Sequence, residues 1–331
     1  MTVLVTGAGG FLGRAVVNDL LESGCHIRAL VRDGSQAATF SRSVDVLIGD
    51  VRDPRCTKEA TRGCDTVIHL AGKAHAIADD GVDEDEYESV NVDGTRQLLE
   101  GAMAGGTRRF ILASSVKVFG ETTNHCLDEN ALPAPHTPYA RSKWLAEQAV
   151  ASYANRAGMT TVSFRLPLVY GPTRRGNLFR MIAAIDQGRF PPLPRISAVR
   201  SMLHVNNFLL AVRAASAANR FPRPMYIVTD AKPYSITDVY DLLRRGLGKN
   251  PTRWRTPVWA LSCAARCGDV LQTLSRRKMP FSHSILEKLI GPAWYSPEAL
   301  IREMGYKPQY AFESAVAGII QHYRRTLAPC G

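Results

Sequence analysis

Ser115, Tyr139 and Lys143 are the residues of this 331-residue chain whose types and spacing suit proton chemistry. Tyr139 and Lys143 fall in PYARSK, four residues apart, which is one helical turn and places both on the same face. An ammonium beside a phenol stabilises the phenolate and lowers its pKa, so the tyrosine can exchange a proton with a sugar or alcohol hydroxyl near neutral pH. Ser115 closes an apolar run, Phe110-Ile111-Leu112-Ala113, in FILASSVKVFG. An apolar run bounded by small polar residues is how a buried parallel strand ends, and open α/β sheets bind ligands at such ends. Lys117 then stands alone among Val116, Val118 and Phe119; it either contacts a substrate or is a solvated side chain.

These three residues need a partner that accepts or gives electrons, and the amino terminus offers one. In VLVTGAGGFLG, Gly7, Gly10 and Gly13 recur every three residues where a first strand meets a first helix. Glycines there permit a tight turn and let backbone amides approach a pyrophosphate, while the helix N-terminus supplies partial positive charge. Phe11 and Leu12 sit in the same turn. NADP(H) or NAD(H) is therefore expected, and the positive charge of a nicotinamide adds to that of Lys143 on Tyr139. An NAD-selective site ends its second strand with Asp or Glu for the ribose hydroxyls. This one ends Leu30-Val31-Arg32-Asp33, with the acid two residues late. Arg32 either meets a 2′-phosphate, which favours NADP, or is a solvated arginine. Asp50 and Val51, after the third strand, are placed for the adenine.

The elements that must position these groups alternate along the first half of the chain. Strands are expected at 3–5, 26–31, 44–48, 66–70, 109–113 and 161–165, with helices at 11–23, 54–61, 84–104 and 139–156. That alternation predicts a Rossmann-like, doubly wound parallel sheet with helices on both faces. After Gly171 the pattern loosens into a smaller mixed α/β lobe, with a strand at 226–228 and a helix at 237–247. The expected division is a dinucleotide-binding domain over 1–170, which also receives the segment near 200–218, and a substrate lobe over 171–331. Phe190–Pro194 (FPPLP) cannot be helix interior. Residues 254–278 read as an amphipathic basic helix, either on a membrane surface or packed on its own lobe with solvated arginines.

Composition narrows the class. At 45% hydrophobic and 21% charged residues, the chain is that of an ordinary folded protein. Its net charge of +11 calls for anionic partners. The arginine pairs (108-109, 174-175, 244-245, 276-277, 324-325) are scattered, with no interleaved aromatics and no zinc-finger spacing, which argues against nucleic acid. Seven cysteines, with Cys263 and Cys267 one turn apart and no second ligand pair nearby, read as free thiols, so no metal is expected. A strand begins almost at Met1 and no apolar run reaches about 18 residues, so neither a signal peptide nor a transmembrane helix is expected and the location reads as cytoplasmic.

The motifs together resemble the extended short-chain dehydrogenase/reductases, the nucleotide-sugar epimerases, dehydratases and reductases. TGAGGFLG is similar to the family's glycine motif, and HLAG at 69–72 to its fourth-strand ending. NVDGT at 91–95, FRLPLVYGP at 164–172 and RSMLHVNN at 200–207 resemble three further motifs. The resemblance implies that Ser115 binds the reacting oxygen, Tyr139 is the acid/base and Lys143 orients the ribose. It implies cofactor contacts from Leu70, Ala71, Gly72, Asn91, Pro167, Leu168 and Val169. It implies substrate diphosphate contacts from Asn177 and Arg200, and Arg200 has the guanidinium that suits phosphate. Asn206-Asn207 replaces the usual acidic pair and Phe119 the usual tyrosine, and neither should carry chemistry. His75, His136, Trp294 and Tyr295 are candidates for the sugar pocket, though each also suits a core or surface role.

In the family's 4,6-dehydratases an Asp-Glu pair follows the catalytic serine or threonine; here those positions are Val116 and Lys117, which argues against elimination. Two readings remain on a UDP-sugar. One is a 4-ketoreductase of a UDP-4-keto-6-deoxy-N-acetylhexosamine in surface-polysaccharide precursor synthesis. The other is a UDP-hexose or UDP-N-acetylhexosamine 4-epimerase with tightly bound NAD. A non-catalytic NADP-sensing protein is a third, less favoured. The family's four-helix interface, on the helices at 84–104 and 139–156, implies a homodimer.

Overall fold

Among the described residues, short runs rich in Val, Ile, Leu and Thr build ten strands: β1 (Thr2–Thr6), β2 (His26–Val31), β3 (Val44–Ile48), β4 (Thr66–His69), β5 (Arg109–Ser115), β6 (Thr160–Leu166), β7 (Leu168–Tyr170), β8 (Val199–His204), β9 (Met225–Ile227) and β10 (Pro233–Ser235). The computed structural model describes residues 1–73, 84–174, 176–250, 252, 254–275 and 281–327. Seven strands form one parallel sheet in the order β3-β2-β1-β4-β5-β6-β9. The chain changes direction across the sheet between β1 and β4, so a ligand crevice opens at their carboxyl ends.

The strands are apolar on both faces, as a sheet covered on both sides requires. Val3, Val5 and Ile111 pack with the helices Phe11–Glu22 and Val205–Ala217. Leu4, Phe110 and Leu112 point the other way, into the helices Pro54–Thr61, Gly94–Ala104 and Pro138–Ser152. That period-two alternation fixes which face each helix covers.

A smaller sheet, β10-β8-β7, mixes one antiparallel and one parallel pair. It shares a core with the helices Asn177–Asp186, Ile236–Gly246 and Phe312–Leu327. Buried Asp230 stands at the junction of the two sheets. It accepts from the Tyr170 hydroxyl at 2.7 Å, the Tyr234 hydroxyl at 3.1 Å, the His204 amide at 2.7 Å and Asn207 Nδ2 at 2.7 Å. Asn207 Oδ1 in turn accepts from the amides of Gln309 and Tyr310. An ionised carboxylate at 207 could not donate to Asp230, which is a physical reason for an amide here.

Three expected helices end elsewhere. The stretch 84–104 is a helix Glu84–Glu88, a wide π-type turn Ser89–Asp93 and a helix Gly94–Ala104. The wide turn lets the Asn91 side chain reach back to the Lys73 backbone. The helix expected to run to Arg156 stops at Ser152, and the chain turns left-handed at Asn155, φ 63°. The basic helix runs Val258–Ser275, starting just after Pro257; residues 276–278 lie outside the described residues.

Candidate active site

β5 carries Ser115 to the carboxyl edge of the sheet, where it is 7% exposed. Its Oγ accepts the Lys117 amide at 3.2 Å and caps the single turn Val116–Phe119. The helix Pro138–Ser152 begins on a Thr137 cap with proline in its first turn, two strong start signals. It brings Tyr139 alongside β5, and the Tyr139 and Ser115 hydroxyls share a hydrogen bond. The Tyr87 ring meets Tyr139 edge-on at 6.1 Å. One turn on, buried Lys143 donates from Nζ to the Ala113 carbonyl at 2.8 Å. Ser115, Tyr139 and Lys143 therefore converge from a strand end and one helix face.

Their electrostatics correct one expectation. Burial pushes the Tyr139 hydroxyl up, and the bond with Ser115 opposes it only in part. In the protein alone the phenol is held protonated instead of being made acidic. Burial also pushes Lys143 down to about 8, against the pull of Glu147. The ammonium is thus charged below pH 8 and lost above it.

Glu147 was not anticipated from the sequence. Arg165 Nε and Nη2 donate to its carboxylate at 3.0 and 2.7 Å, and Ser114 Oγ also donates to it. The two charged side chains are only 3% and 5% exposed. The Arg165 guanidinium lies 4.5 Å over the Phe119 ring. The available signal was an acid one turn beyond Lys143, on the same helix face.

The glycine loop forms a cradle that side chains would fill. Gly7 is left-handed at φ +65°, and a Cβ there would lie 2.7 Å from the Ala71 amide nitrogen. A Cβ at Gly13 would lie 2.2 Å from the Gly7 carbonyl oxygen. Gly10 caps the helix Phe11–Glu22 with no side-chain hydrogen bond, which leaves the first-turn amides of Phe11, Leu12 and Gly13 to an anionic ligand. Beyond β4, Leu70, Ala71 and Gly72 border the same loop. A Cβ at Gly72 would lie 2.9 Å from Asn91 Oδ1 and 3.3 Å from Lys143 Nζ, so the glycine loop and the lysine belong to one crevice. Asn91 Nδ2 also donates to Ser142 Oγ at 2.9 Å, tying this edge to the Tyr139 helix. These residues fit a dinucleotide.

Arg32 is exposed just past β2. Asp33 is spent on the short helix Gly34–Ala37, where it accepts the Ser35 amide at 2.9 Å. Asp50 pairs with Arg52 at 2.6 Å, which with Arg32 nearby holds its carboxyl below the usual range. Val51 is buried against Gly94. Pro167 links β6 to β7, which opens with Leu168, 44% exposed, and Val169. His69, the first residue of HLAG, is a core histidine between Thr6 Oγ1 at 2.7 Å and Thr95 Oγ1 at 3.0 Å, pushed down to about 3 by burial.

On the substrate side the solvated reading of Lys117 is corrected. Its ammonium pairs with Glu121 one turn away, its side chain is 26% exposed, and burial pushes its pKa down. Arg200 donates to the Gly291 carbonyl and also bears on Lys117, as does Lys288. Asn177 is exposed at the start of its helix and lines a small cavity with Leu168 and Val169. Tyr295 is buried, stacked on Phe119 at 5.9 Å, and pushed up to about 12. His136 is exposed and Trp294 is 39% exposed. His75, Arg175 and Cys330 lie outside the described residues. Among the described residues no acid or thiol cluster could hold a metal, and the cysteines are free.

The model of the NAD dependent epimerase/dehydratase family matches residues 3–227. A 2-alkyl-3-oxoalkanoate reductase of Stenotrophomonas maltophilia is 28% identical, over 96% of this chain and 97% of that protein. An N-acetyl-alpha-D-glucosaminyl-diphospho-ditrans,octacis-undecaprenol 4-epimerase of Escherichia coli O157:H7 is 25% identical, over 97% and 94%. Among solved structures, MoeE5 in complex with UDP-glucuronic acid and NAD is similar in fold, with a TM-score of 0.77 at 21% identity over 99% of this chain and 100% of that one.

Proposed function

This chain belongs to the NAD-dependent epimerase/dehydratase family, and from that premise we propose that it works at C4 of a nucleotide sugar, reducing a UDP-4-keto-6-deoxy-N-acetylhexosamine for surface-polysaccharide synthesis. The observation that carries this reading is the pairing of a Ser115–Tyr139–Lys143 constellation with Lys117, held by Glu121, where elimination would need free acids. The first-turn amides beyond Gly10 bind the pyrophosphate, Arg32 the 2′-phosphate, and Lys143 the ribose. Bound there, the cofactor supplies hydride. Ser115 donates a hydrogen bond to the ketone oxygen, and Tyr139, kept protonated by burial, delivers the proton to it. Lys143 offsets the phenolate charge that remains. Arg200 and Asn177 take the diphosphate; one guanidinium nitrogen on Gly291 leaves the other donors for the ligand.

The second reading is a 4-epimerase, favoured by relatives so named, including the Vibrio cholerae UDP-glucose 4-epimerase at 26% identity. The same three residues serve both directions of proton transfer; the difference lies in whether the cofactor leaves. A homodimer on the helices Gly94–Ala104 and Pro138–Ser152 completes the proposal. Their outer faces enclose a groove of about 310 Å³ bordered by Arg96, Glu100, Leu145 and Tyr153.

The deciding experiment denatures the purified protein, identifies any nucleotide released, and titrates the apo protein with NADPH and NADH. An empty site that prefers NADPH, followed by turnover of a UDP-4-keto-6-deoxy sugar, supports the reductase. Stoichiometric NAD carried through purification refutes it in favour of the epimerase.

A further inference from the structure

The helix Val258–Ser275 has two apolar faces, and only one of them is used. Its inner face puts Leu261 and Ala265, 4% and 0% exposed, against Leu286 and Phe281. Gly268 lies so close to Phe281 that a Cβ would sit 1.9 Å from its carbonyl oxygen. Its outer face carries Trp259, Val270 and Leu271, which are 70%, 58% and 52% exposed. Cys263 and Cys267, also exposed, fill the turns between them. The positions 259, 263, 267 and 271 repeat every four residues, so they form one stripe along the helix. Trp254 and Val258, 63% and 41% exposed, extend that apolar surface at its amino end.

Charge says what the stripe fits. Residues 254–278 contain five cations (Arg255, Arg266, Arg276, Arg277, Lys278) and a single acid; Arg255 is spent on Asp241 at 2.6 Å within the fold, so the segment's excess charge rests on Arg266 and the sequence run Arg276-Arg277-Lys278. That acid, Asp269, accepts the His283 amide at 3.2 Å and so is engaged within the fold. The whole chain carries +11. An exposed apolar stripe that carries a tryptophan, within a basic stretch of sequence, matches the boundary of an anionic bilayer, where indole rings favour the headgroup level. No described helix is long and apolar enough to cross a membrane, so the helix would lie on the surface. It packs on the helix His283–Ile290, which ends at Gly291, the residue whose carbonyl holds Arg200.

We propose that the outer face of Val258–Ser275, with Trp254 and Trp259, docks this protein on an anionic phospholipid surface. The test sediments the full chain with vesicles of phosphatidylcholine alone and of phosphatidylcholine mixed with phosphatidylglycerol. The expected result is binding to the anionic vesicles only, weakened by salt. Trp259→Asp and Leu271→Asp should each lower the partition roughly tenfold, since both lose apolar contact and add a repelled charge. Leu132→Asp, which changes an 87% exposed leucine outside this helix, should leave it unchanged. All three positions are exposed, so melting temperatures should hold and report folding. A wild-type protein that stays in the supernatant overturns the proposal, as do stripe variants that sediment like wild type. A dimer by sedimentation velocity that Trp259→Asp splits also overturns it, since a second copy would then cover the face.

Discussion

Replacing Glu147 by Gln should move the alkaline limit of activity and weaken the fold at the same time. Glu147 is the counter-ion of buried Arg165 and the nearby charge that holds Lys143 up against desolvation. Residues one turn apart lie about 6 Å from each other, and at an effective dielectric near ~20 their attraction is roughly 3 kcal/mol, or about two pH units. Lys143 titrates at about 8 in the folded protein. The alkaline limb of kcat/KM, which reports the enzyme before the sugar binds, should therefore fall from about 8 in wild type toward about 6 in the variant. The neutral amide also strands the Arg165 guanidinium, whose Nη1 already has no hydrogen-bond partner. Breaking a buried pair from one side costs about 3–5 kcal/mol, so melting should drop by several degrees. The assay is cofactor oxidation at saturating cofactor across pH, with thermal melts in parallel. Ser114→Ala is the companion variant: it removes one hydrogen bond from Glu147, worth about 1 kcal/mol, and keeps the charge. A Glu147→Gln limb that stays at wild-type pH, or a Ser114→Ala limb that moves as far, would refute the assignment of Glu147 as the charge that keeps Lys143 protonated.

Other outcomes follow from the same geometry. Tyr139→Phe should lower turnover about 10²–10⁴-fold with cofactor affinity little changed, and undiminished activity would remove Tyr139 as the acid. Arg32→Asp should weaken NADPH binding relative to NADH by titration; an unchanged ratio makes Arg32 a surface residue. Gly13→Ala drives a Cβ to 2.2 Å from the Gly7 carbonyl, so dinucleotide binding should be lost in a calorimetric titration. Stability should fall in acid: His69 and His204 are pushed down from 6.5 to about 3 and about 4, so below pH 6.5 the unfolded chain binds protons that the folded one refuses. Thermal melts equally high at pH 7 and pH 5 would contradict that. Lys143 works the same way from the alkaline side: its depressed value disfavours the fold below about pH 8, and stability from this residue rises between about 8 and 10.5.

The sequence by itself determined the scaffold and singled out Ser115, Tyr139 and Lys143 as the candidates that the fold brings together. Strand ends at Thr6 and Ser115, glycines every three residues, and a tyrosine four before a lysine are local patterns, because strand and helix periods are set within a few residues. The side-chain period of two in any strand puts Leu112 and Ile111 on opposite faces of one sheet. Only the tertiary structure decided the charge states. Glu147 and Arg165 are 18 residues apart in sequence and meet inside the protein, and Lys117 is pushed down by burial and by the charge of Arg200, which comes from far along the chain. Burial is a property of everything packed around a group, so a phenol that spacing marks as acidic is held protonated by its surroundings. The same holds for the helix Val258–Ser275: its apolar residues were legible in sequence, but which of its two faces meets the protein was decided by where Phe281 and Leu286 pack.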